Sequence, residues 1–524
     1  MQNILWVDDE IDLLRPYLIF LKEKGYETVT ATNGVDALEL INNQTFDIIF
    51  LDENMPGISG LETLAQIKQI APTIPVVMIT KSEAENIMEM AIGNQIADYL
   101  TKPVNPSQIL LTLKKNLHKR EIFAEQTTSA YSTEFSQIGT KLLDNFTNED
   151  WFDIYKRLTF WDLRLNEAQN EMYNLLLSQK QEANTVFAKY ISKNYLKWFN
   201  PPVPPLSKGG EVVENRPLIS PDVFKKRIFP LLDNGENVFL VVFDNFRYDQ
   251  WKMVQELLGD FFNFDSEELY YAILPTTTQY ARNAIFSGLM PLQIKEMFPQ
   301  FWIDEEDEEG KNNFEEQLVS SLLKRYRREI PFSYHKINNS QDGEKLVEKI
   351  KTLKGNPLNV CVLNFIDMLS HARTESKTLR ELAHTEAAYR ALAVSWFQHS
   401  STFAIFRELA QHGFKVVVTT DHGSIKVDKP IKVIGDKNTS ANLRYKVGKS
   451  LNYNRKDVFA VTEPKKAMLP SPNVSSSYIF AQNSDFLAYP NNFNYYVSYY
   501  KDTFQHGGIS MEEMLVPLVV MKGK

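Results

Sequence analysis

The chain has 524 residues, 43% of them apolar, and carries a formal net charge of −9 with a pI of about 5.6. A chain of this length folds as about two to four domains, and its apolar content excludes a disordered polymer. The acidic balance argues against a general polyanion binder, although it leaves room for a local basic patch.

In chain order, residues 1–118 alternate strand and helix. Ile4 to Val7, Thr28 to Ala31, Asp47 to Leu51, Pro75 to Thr80 and Ala97 to Leu100 read as short buried strands. Leu13 to Lys24 has helical spacing and stops at Gly25, and Val35 to Asn42 is helical as well. Strands this continuously apolar are expected where helices cover both faces of a parallel sheet, so the pattern predicts a doubly wound α/β domain.

Residues 119–199 hold one glycine and no proline. Their apolar positions recur at three and four (Trp151, Ile154, Tyr155, Leu158; then Phe187, Tyr190, Ile191), which predicts a small helical bundle. Residues 200–221 are rich in proline and glycine and read as a semi-rigid linker. From 222 to 524 strands and helices alternate again. The runs Val238 to Phe243, Asn359 to Ile366 and Lys415 to Thr420 are expected as buried strands, each ending directly in an acid: Asp244, Asp367 and Asp421. Ligands of open α/β sheets bind beyond the carboxyl ends of the strands, so the three aspartates are expected on one rim. The acidic run Asp304 to Glu309 reads as a solvated loop. Segment 423–505, rich in Asn, Ser, Tyr and Lys, has the length of an inserted substrate-binding subdomain.

The only cysteine, Cys361, lies in an apolar run, where a buried small side chain is expected rather than a reactive thiol. A single cysteine excludes an intrachain disulfide, which fits a reducing cytoplasm. The first residues reach acidic side chains with no basic region or cleavage site, so no signal peptide is expected. No apolar run approaches ~18 residues, so no membrane span is expected.

Five positions of the N-terminal domain fall at one edge of the expected sheet: Asp8 and Asp9 after the first strand, Asp52 ending the third, Thr80 ending the fourth, and Lys102 after the fifth. Phosphorylating an aspartate needs a divalent cation against the incoming charge, a lysine to hold the phosphoryl group and a hydroxyl to sense it. Asp8, Asp9 and Asp52 offer hard oxygens that suit Mg²⁺, Lys102 offers the cation and Thr80 the hydroxyl. The segments VDDE, LDENMPGISG, VVMIT and ADYLTKP resemble the receiver domain of two-component response regulators. That resemblance implies phosphorylation at Asp52, and Tyr99 matches the family's switch aromatic.

The C-terminal half carries Asp244, then Pro275-Thr276-Thr277-Thr278, then Asp367 with His371, then Asp421-His422-Gly423, then His506. Each segment alone is ambiguous, but this order resembles the alkaline phosphatase superfamily, including its PglZ branch. The resemblance implies an α/β domain of that superfamily with two Zn²⁺ ions. Asp367, His371 and His506 would hold one ion; Asp244, Asp421 and His422 would hold the other, together with the nucleophile's hydroxyl. Imidazole plus carboxylate is a donor set that zinc accepts. Relatives with Pro-Thr-Lys-Thr followed by Gly-Leu-x-Pro react through the second threonine. Here Gly288-Leu289-Met290-Pro291 follows at the corresponding spacing, which selects Thr278, with Thr277 as runner-up. Threonine in this role favours a phosphodiester substrate. Arg247, in the signature Asp244 to Asp249, and Arg282 are candidates to bind substrate phosphate.

The whole order (receiver, helical segment, PglZ-like domain) resembles PorX-type response regulators. The resemblance implies a sensor histidine kinase partner, a role in type IX secretion and gliding, a regulatory protein such as a sigma factor as a further partner, and dimerisation on phosphorylation. It also implies zinc-dependent cleavage of oligonucleotide or cyclic-oligonucleotide diesters. The alternative is a non-catalytic regulator that uses the zinc domain as a docking surface.

Overall fold

The computed structural model describes the chain apart from residues 1, 81–95, 168–170, 200–215, 305–309 and 437–438. At 12, 118–126, 167, 373, 375, 377, 378 and 382 it describes the backbone alone. Most of the expected linker and of the acidic run after Asp304 lie outside the described residues. The chain forms two compact units, one built on Met1–Ser132 and the other on Thr133–Asn166 with Glu171–Lys524.

The first unit holds strands β1 (Gln2–Val7), β2 (Tyr26–Ala31), β3 (Ile48–Asp52), β4 (Val76–Thr80) and β5 (Asp98–Thr101). They form one parallel sheet in the order β2-β1-β3-β4-β5. Alternation along β1 divides the core: Ile4 and Trp6 pack with Phe50 and Val77 on one face, Leu5 and Val7 with Leu51 and Met78 on the other. Both faces are covered, so β3 and β4 are buried at every residue and their polar ends, Asp52 and Thr80, can only point out of the sheet edge. Helix Gly60–Ile70 starts from a capping box of Ser59 and Glu62. Its first residue must be glycine, because a Cβ there would lie 2.1 Å from the Asp52 carbonyl oxygen. The helix that follows β5 runs Pro106–Lys141 as a single element.

The second unit is built on a six-stranded sheet. Its strands are β6 (Val238–Phe243), β7 (Phe262–Tyr271), β8 (Phe332–Ile337), β9 (Leu358–Leu363), β10 (Lys415–Thr420) and, from the end of the chain, β18 (Leu515–Gly523). The order is β7-β18-β10-β6-β9-β8, with β10, β6, β9 and β8 parallel and β18 antiparallel to both neighbours. The carboxyl ends of β6, β9 and β10 therefore open on one rim.

Helices Asn148–Glu167 and Tyr173–Asn194 pack against this unit rather than only against each other. Phe152 and Phe187 lie against Tyr271 of β7, at ring distances of 5.2 and 6.3 Å. The Tyr195 hydroxyl accepts from the Leu274 backbone at 2.8 Å. The expected linker also ends early, since the Leu218 carbonyl pairs with Tyr271 and Ile219 and Pro221 are buried. Between Asp421 and His506 the chain makes an insertion of small strands: β11 (Ile425–Lys426), β12 (Lys429–Lys432), β13 (Tyr445–Lys449), β14 (Val458–Val461), β15 (Ser476–Ala481), β16 (Asp485–Ala488) and β17 (Phe504–Gln505). Among the described residues, no helix is long and apolar enough to cross a membrane.

Candidate active site and phosphorylation site

At the receiver edge, oxygens of Asp8, Asp9 and Asp52 lie within 4.8 Å of one another. Asp8 and Asp52 are buried and Asp9 is exposed. The Lys102 ammonium sits 2.9 Å from Asp8 and 3.0 Å from Asp52. Burial works against its charge, but the hydrogen bonds of those two carboxylates outweigh it and hold it above the ordinary lysine value. Asp52 is pushed up, first by burial and then by the negative charge of Asp8 and Asp9, with Lys102 pulling the other way. Crowded carboxylates of this kind suit a hard divalent cation. The Thr80 hydroxyl donates to Glu53, and Tyr99 is 44% exposed.

The second cluster lies on the rim of the six-stranded sheet. Asp244 follows β6, and Asp421 and His422 follow β10. The expected strand up to Ile366 stops instead at Leu363, and Asp367 falls in the first turn of helix Phe365–Glu375. Helical geometry is what lets Asp367 and His371, one turn apart, face the same point. His506 follows β17. These residues make two groups, each with ligand atoms within 4.8 Å: Asp244, Asp421 and His422, all buried; and Asp367, His371 and His506, with His371 exposed. The groups adjoin, since the His422 and His506 rings stack with centroids 4.3 Å apart. Asn245, in a left-handed backbone conformation (φ 59°), ties them together. Its backbone N–H donates to Asp421 Oδ1 (3.2 Å) and its amide to Asp367 Oδ1 (3.1 Å).

The donors fit a pair of metal ions. His422 Nδ1 lies 3.0 Å from the Gly423 carbonyl and His506 Nδ1 3.3 Å from the Thr276 carbonyl. Both Nδ1 atoms are thus the protonated donors, which frees Nε2 as a ligand. Nε2 is the atom that faces the carboxylates, 3.8 Å from Asp244 for His422 and 3.5 Å from Asp367 for His506. Asp421 Oδ2 is buried with no hydrogen-bond partner among the described residues; Arg282, 3.8 Å away, is too far to donate to it, which leaves a carboxylate oxygen that a metal ion would satisfy. Burial pushes Asp244 up to about 7 and Asp421 up to about 6, and it pushes His506 down to about 3. Gly423 is required for the turn here, because a Cβ would lie 2.0 Å from the Glu512 carbonyl oxygen.

The three threonines take different places. Thr276 is spent in the fold, donating to the Gly508 carbonyl and accepting from the Gly507 N–H, both at 3.0 Å. Thr277 Oγ1 is buried with no hydrogen-bond partner among the described residues. Thr278 Oγ1 donates to Asp244 Oδ1 at 3.1 Å and lies 3.3 Å from His422 Nε2.

The two arginines also separate. Arg282 is buried beside the site, 2.9 Å from Asp244, 3.8 Å from Asp421 and 2.6 Å from Glu315, so it offsets the charge of the buried carboxylates. Arg247 is turned away from substrate: its fully buried guanidinium pairs with Asp249 and Glu386 and lies over the Phe504 ring. Asp249 passes the network to Arg390, which reaches Asp162, itself 2.6 Å from Lys180. Arg247 thus helps fasten helices Asn148–Glu167 and Tyr173–Asn194 to the rest of the second unit, a role that a local motif cannot reveal. Asn245 and Glu315 were not singled out in the sequence as parts of the site; nothing beyond the Asp244 signature marks the first, and nothing local marks the second.

Residues 223–521, more than half of the chain, match the BREX system PglZ alkaline phosphatase-like domain. The chain belongs to the PglZ alkaline phosphatase-like family. Residues 4–114 match the response regulator receiver domain, and residues 121–199 match the PorX response regulator linker domain. The receiver, linker and PglZ domains together make the PorX-type architecture, and the receiver implies a histidine kinase partner. The chain is 39% identical over 122 residues to the alginate biosynthesis transcriptional regulatory protein AlgB of Pseudomonas putida, covering 23% of this chain and 27% of that protein. It is 31% identical over 150 residues to the transcriptional regulatory protein ZraR of Klebsiella oxytoca, covering 28% and 34%. The chain thus spans about a quarter to a third of the length of these curated relatives. The solved chemotaxis protein CheY4 of Vibrio cholerae is 30% identical, with 22% of this chain and 99% of that chain covered and a TM-score of 0.22.

Proposed function

We propose that this response regulator is a signalling enzyme: phosphorylation at Asp52 controls a two-zinc phosphodiesterase in the PglZ domain, with Thr278 as its nucleophile. The observation that carries this reading is Thr278 Oγ1, held between Asp244 and His422 in one of two adjoining ligand groups. The groups Asp244, Asp421, His422 and Asp367, His371, His506 would hold the zinc ions, and Asp8, Asp9 and Asp52 would hold Mg²⁺ in the receiver. When bound, the paired ions supply Lewis acidity to the phosphoryl oxygens and lower the threonine's pKa. Thr278 Oγ1 forms the new bond to phosphorus, the bond to the leaving alcohol breaks, and the hydroxyl proton ends on that alcohol. Water then cleaves the phosphothreonine ester and returns the hydroxyl. Arg282 keeps Asp244 and Asp421 in place between turnovers.

A threonine nucleophile favours diesters, and oligonucleotide or cyclic-oligonucleotide diesters are the proposed substrates. The PorX-type linker at residues 121–199 supports a cytoplasmic regulator of type IX secretion and gliding, partnered by a sigma factor or another regulatory protein and dimeric once Asp52 is phosphorylated. The test is turnover of bis-p-nitrophenyl phosphate and of short and cyclic oligonucleotides by the zinc-loaded chain. Turnover that vanishes in Thr278→Val while both ions stay bound is expected. No turnover of any diester by a chain carrying both ions would replace the enzyme with a zinc-stabilised docking domain.

A further inference from the structure

The insertion between Asp421 and His506 differs from the rest of the chain in charge. Residues 423–505 carry twelve lysines and arginines against six aspartates and glutamates, a balance of +6 within a chain of −9. Among the described residues only Arg444 and Lys446 of these cations are buried; Lys429, Lys432, Lys449 and Lys501 are exposed.

The same insertion carries helix Phe493–Tyr500, with the sequence FNYYVSYY. Phe493, Val497 and Tyr500, at helical spacing, pack on Ile425, Val427, Phe486 and Ala488. That packing leaves Tyr495 and Tyr496 outward, 64% and 40% exposed. Their rings are ordered by their neighbours one turn on. Tyr495 stacks with Tyr499 (6.3 Å, 15°) and Tyr496 with Tyr500 (6.2 Å, 13°). Cations flank the ladder, Arg380 over the Tyr499 ring at 5.4 Å and Lys432 over Phe493 at 4.7 Å.

This face is rooted on the metal groups. β17 leads from the tyrosine helix to His506, and it pairs antiparallel with β11, which follows Asp421 and His422. The Ser370 hydroxyl, on the helix that carries Asp367 and His371, donates to the Phe504 carbonyl of β17 at 3.2 Å.

We propose that the tyrosine face of residues 493–500 is a stacking platform for single-stranded nucleic acid, which holds bases while Lys432, Lys501 and Arg380 beside it meet phosphates. Base–aromatic stacking tolerates any sequence because every base has a π-face, and a cationic surround supplies the sequence-independent attraction. The inference rests on the phosphodiesterase reading for its substrate. It adds where the strand lies and why an acidic chain accepts a polyanion.

The test is fluorescence anisotropy of a 5′-labelled single-stranded oligonucleotide with the full-length, zinc-loaded Thr278→Val chain, which holds the strand uncut. Adding Tyr495→Ser with Tyr496→Ser is expected to weaken binding about tenfold or more, and Tyr495→Phe with Tyr496→Phe to stay within about twofold of the parent. In the cleaving enzyme the serine pair should raise the oligonucleotide KM and leave kcat nearly unchanged. An unchanged affinity in the serine pair, an equal loss in both pairs, or no binding by the parent would each overturn the platform. Turnover of bis-p-nitrophenyl phosphate is read separately: its absence sinks the phosphodiesterase reading, whereas anisotropy alone judges the platform.

Discussion

The two units each gather buried carboxylates at the carboxyl edge of a parallel sheet, yet the clusters are built differently. The receiver's cluster offers only oxygen donors, is open at Asp9, and contains its own cation, the Lys102 ammonium within 3.0 Å of both Asp8 and Asp52. The PglZ cluster mixes imidazole with carboxylate. It has Arg282 against Asp244, but it leaves Asp421 Oδ2 buried with no hydrogen-bond partner among the described residues. With three carboxylates against one ammonium, the receiver cluster keeps an excess of negative charge, and its all-oxygen donors suit a hard ion that comes and goes. The other adds imidazole nitrogens and a buried carboxylate oxygen without a hydrogen bond among the described residues, and suits an ion that stays. The contrast teaches that the donor set and any built-in cation, more than the sheet edge that presents them, determine what a carboxylate cluster does.

The largest effects come from near-isosteric substitutions, one in each cluster. Thr278→Val should cut diester turnover by at least about 10³-fold and leave acetyl-phosphate labelling of the receiver intact. Asp52→Asn should end that labelling and leave the zinc content of the PglZ domain unchanged. Steady-state kinetics, phosphate-affinity gels and metal analysis read both. Next in size, Asn245→Ala removes the amide that holds Asp367 and should weaken zinc binding about 10- to 100-fold in competition with a chelator. An unchanged affinity would show that the bridge between the two groups is not needed.

A smaller effect separates the units by stability. Chelation should lower the melting transition of the PglZ unit by roughly 5 °C or more and move the receiver transition less, because Lys102 pairs with Asp8 and Asp52 without any ion. The smallest effect is a pH trend within that loss. Asp244 and Asp421, raised to about 7 and about 6, favour the metal-free fold while they are protonated. That stability is complete below the ordinary carboxylate range of about 4 and is lost as pH rises through 6 and 7. The gap in melting temperature between metal-loaded and metal-free protein should therefore widen from pH 5 to pH 8. A gap that stays constant would contradict the assignment of those carboxylates as metal ligands.

Much of this was legible in the sequence where function follows strand ends. The runs of β6 and β10 announce Asp244 and Asp421 because an apolar strand must stop where a buried acid begins. Asp367 was placed on the right rim but on the wrong element: Phe365 and Ile366 extend an apolar run that reads as strand, and only the helical pairing with His371 shows that the chain has already turned. The helices at 148–194 were visible from their periodicity, but not their partner, since an apolar stripe does not say what covers it. Arg247 read as a substrate ligand because its neighbours form a motif. Its real partners, Glu386 and the Asp249–Arg390–Asp162 chain, come from segments far apart in sequence. Asn245 and Glu315 owe their places to the same long-range convergence. The basic balance of the insertion was open to counting, but its relevance appeared only with the tyrosine helix attached to β17.

If both readings hold, one chain carries two metal clusters of different chemistry. The most direct measurement is anomalous diffraction at the zinc edge from crystals of the full chain grown with zinc and an excess of magnesium. Two zinc peaks about 4 Å apart are expected, one at Asp244, Asp421 and His422 and the other at Asp367, His371 and His506, with none at Asp8, Asp9 and Asp52. A strong zinc peak in the receiver, or an empty PglZ rim, would contradict it.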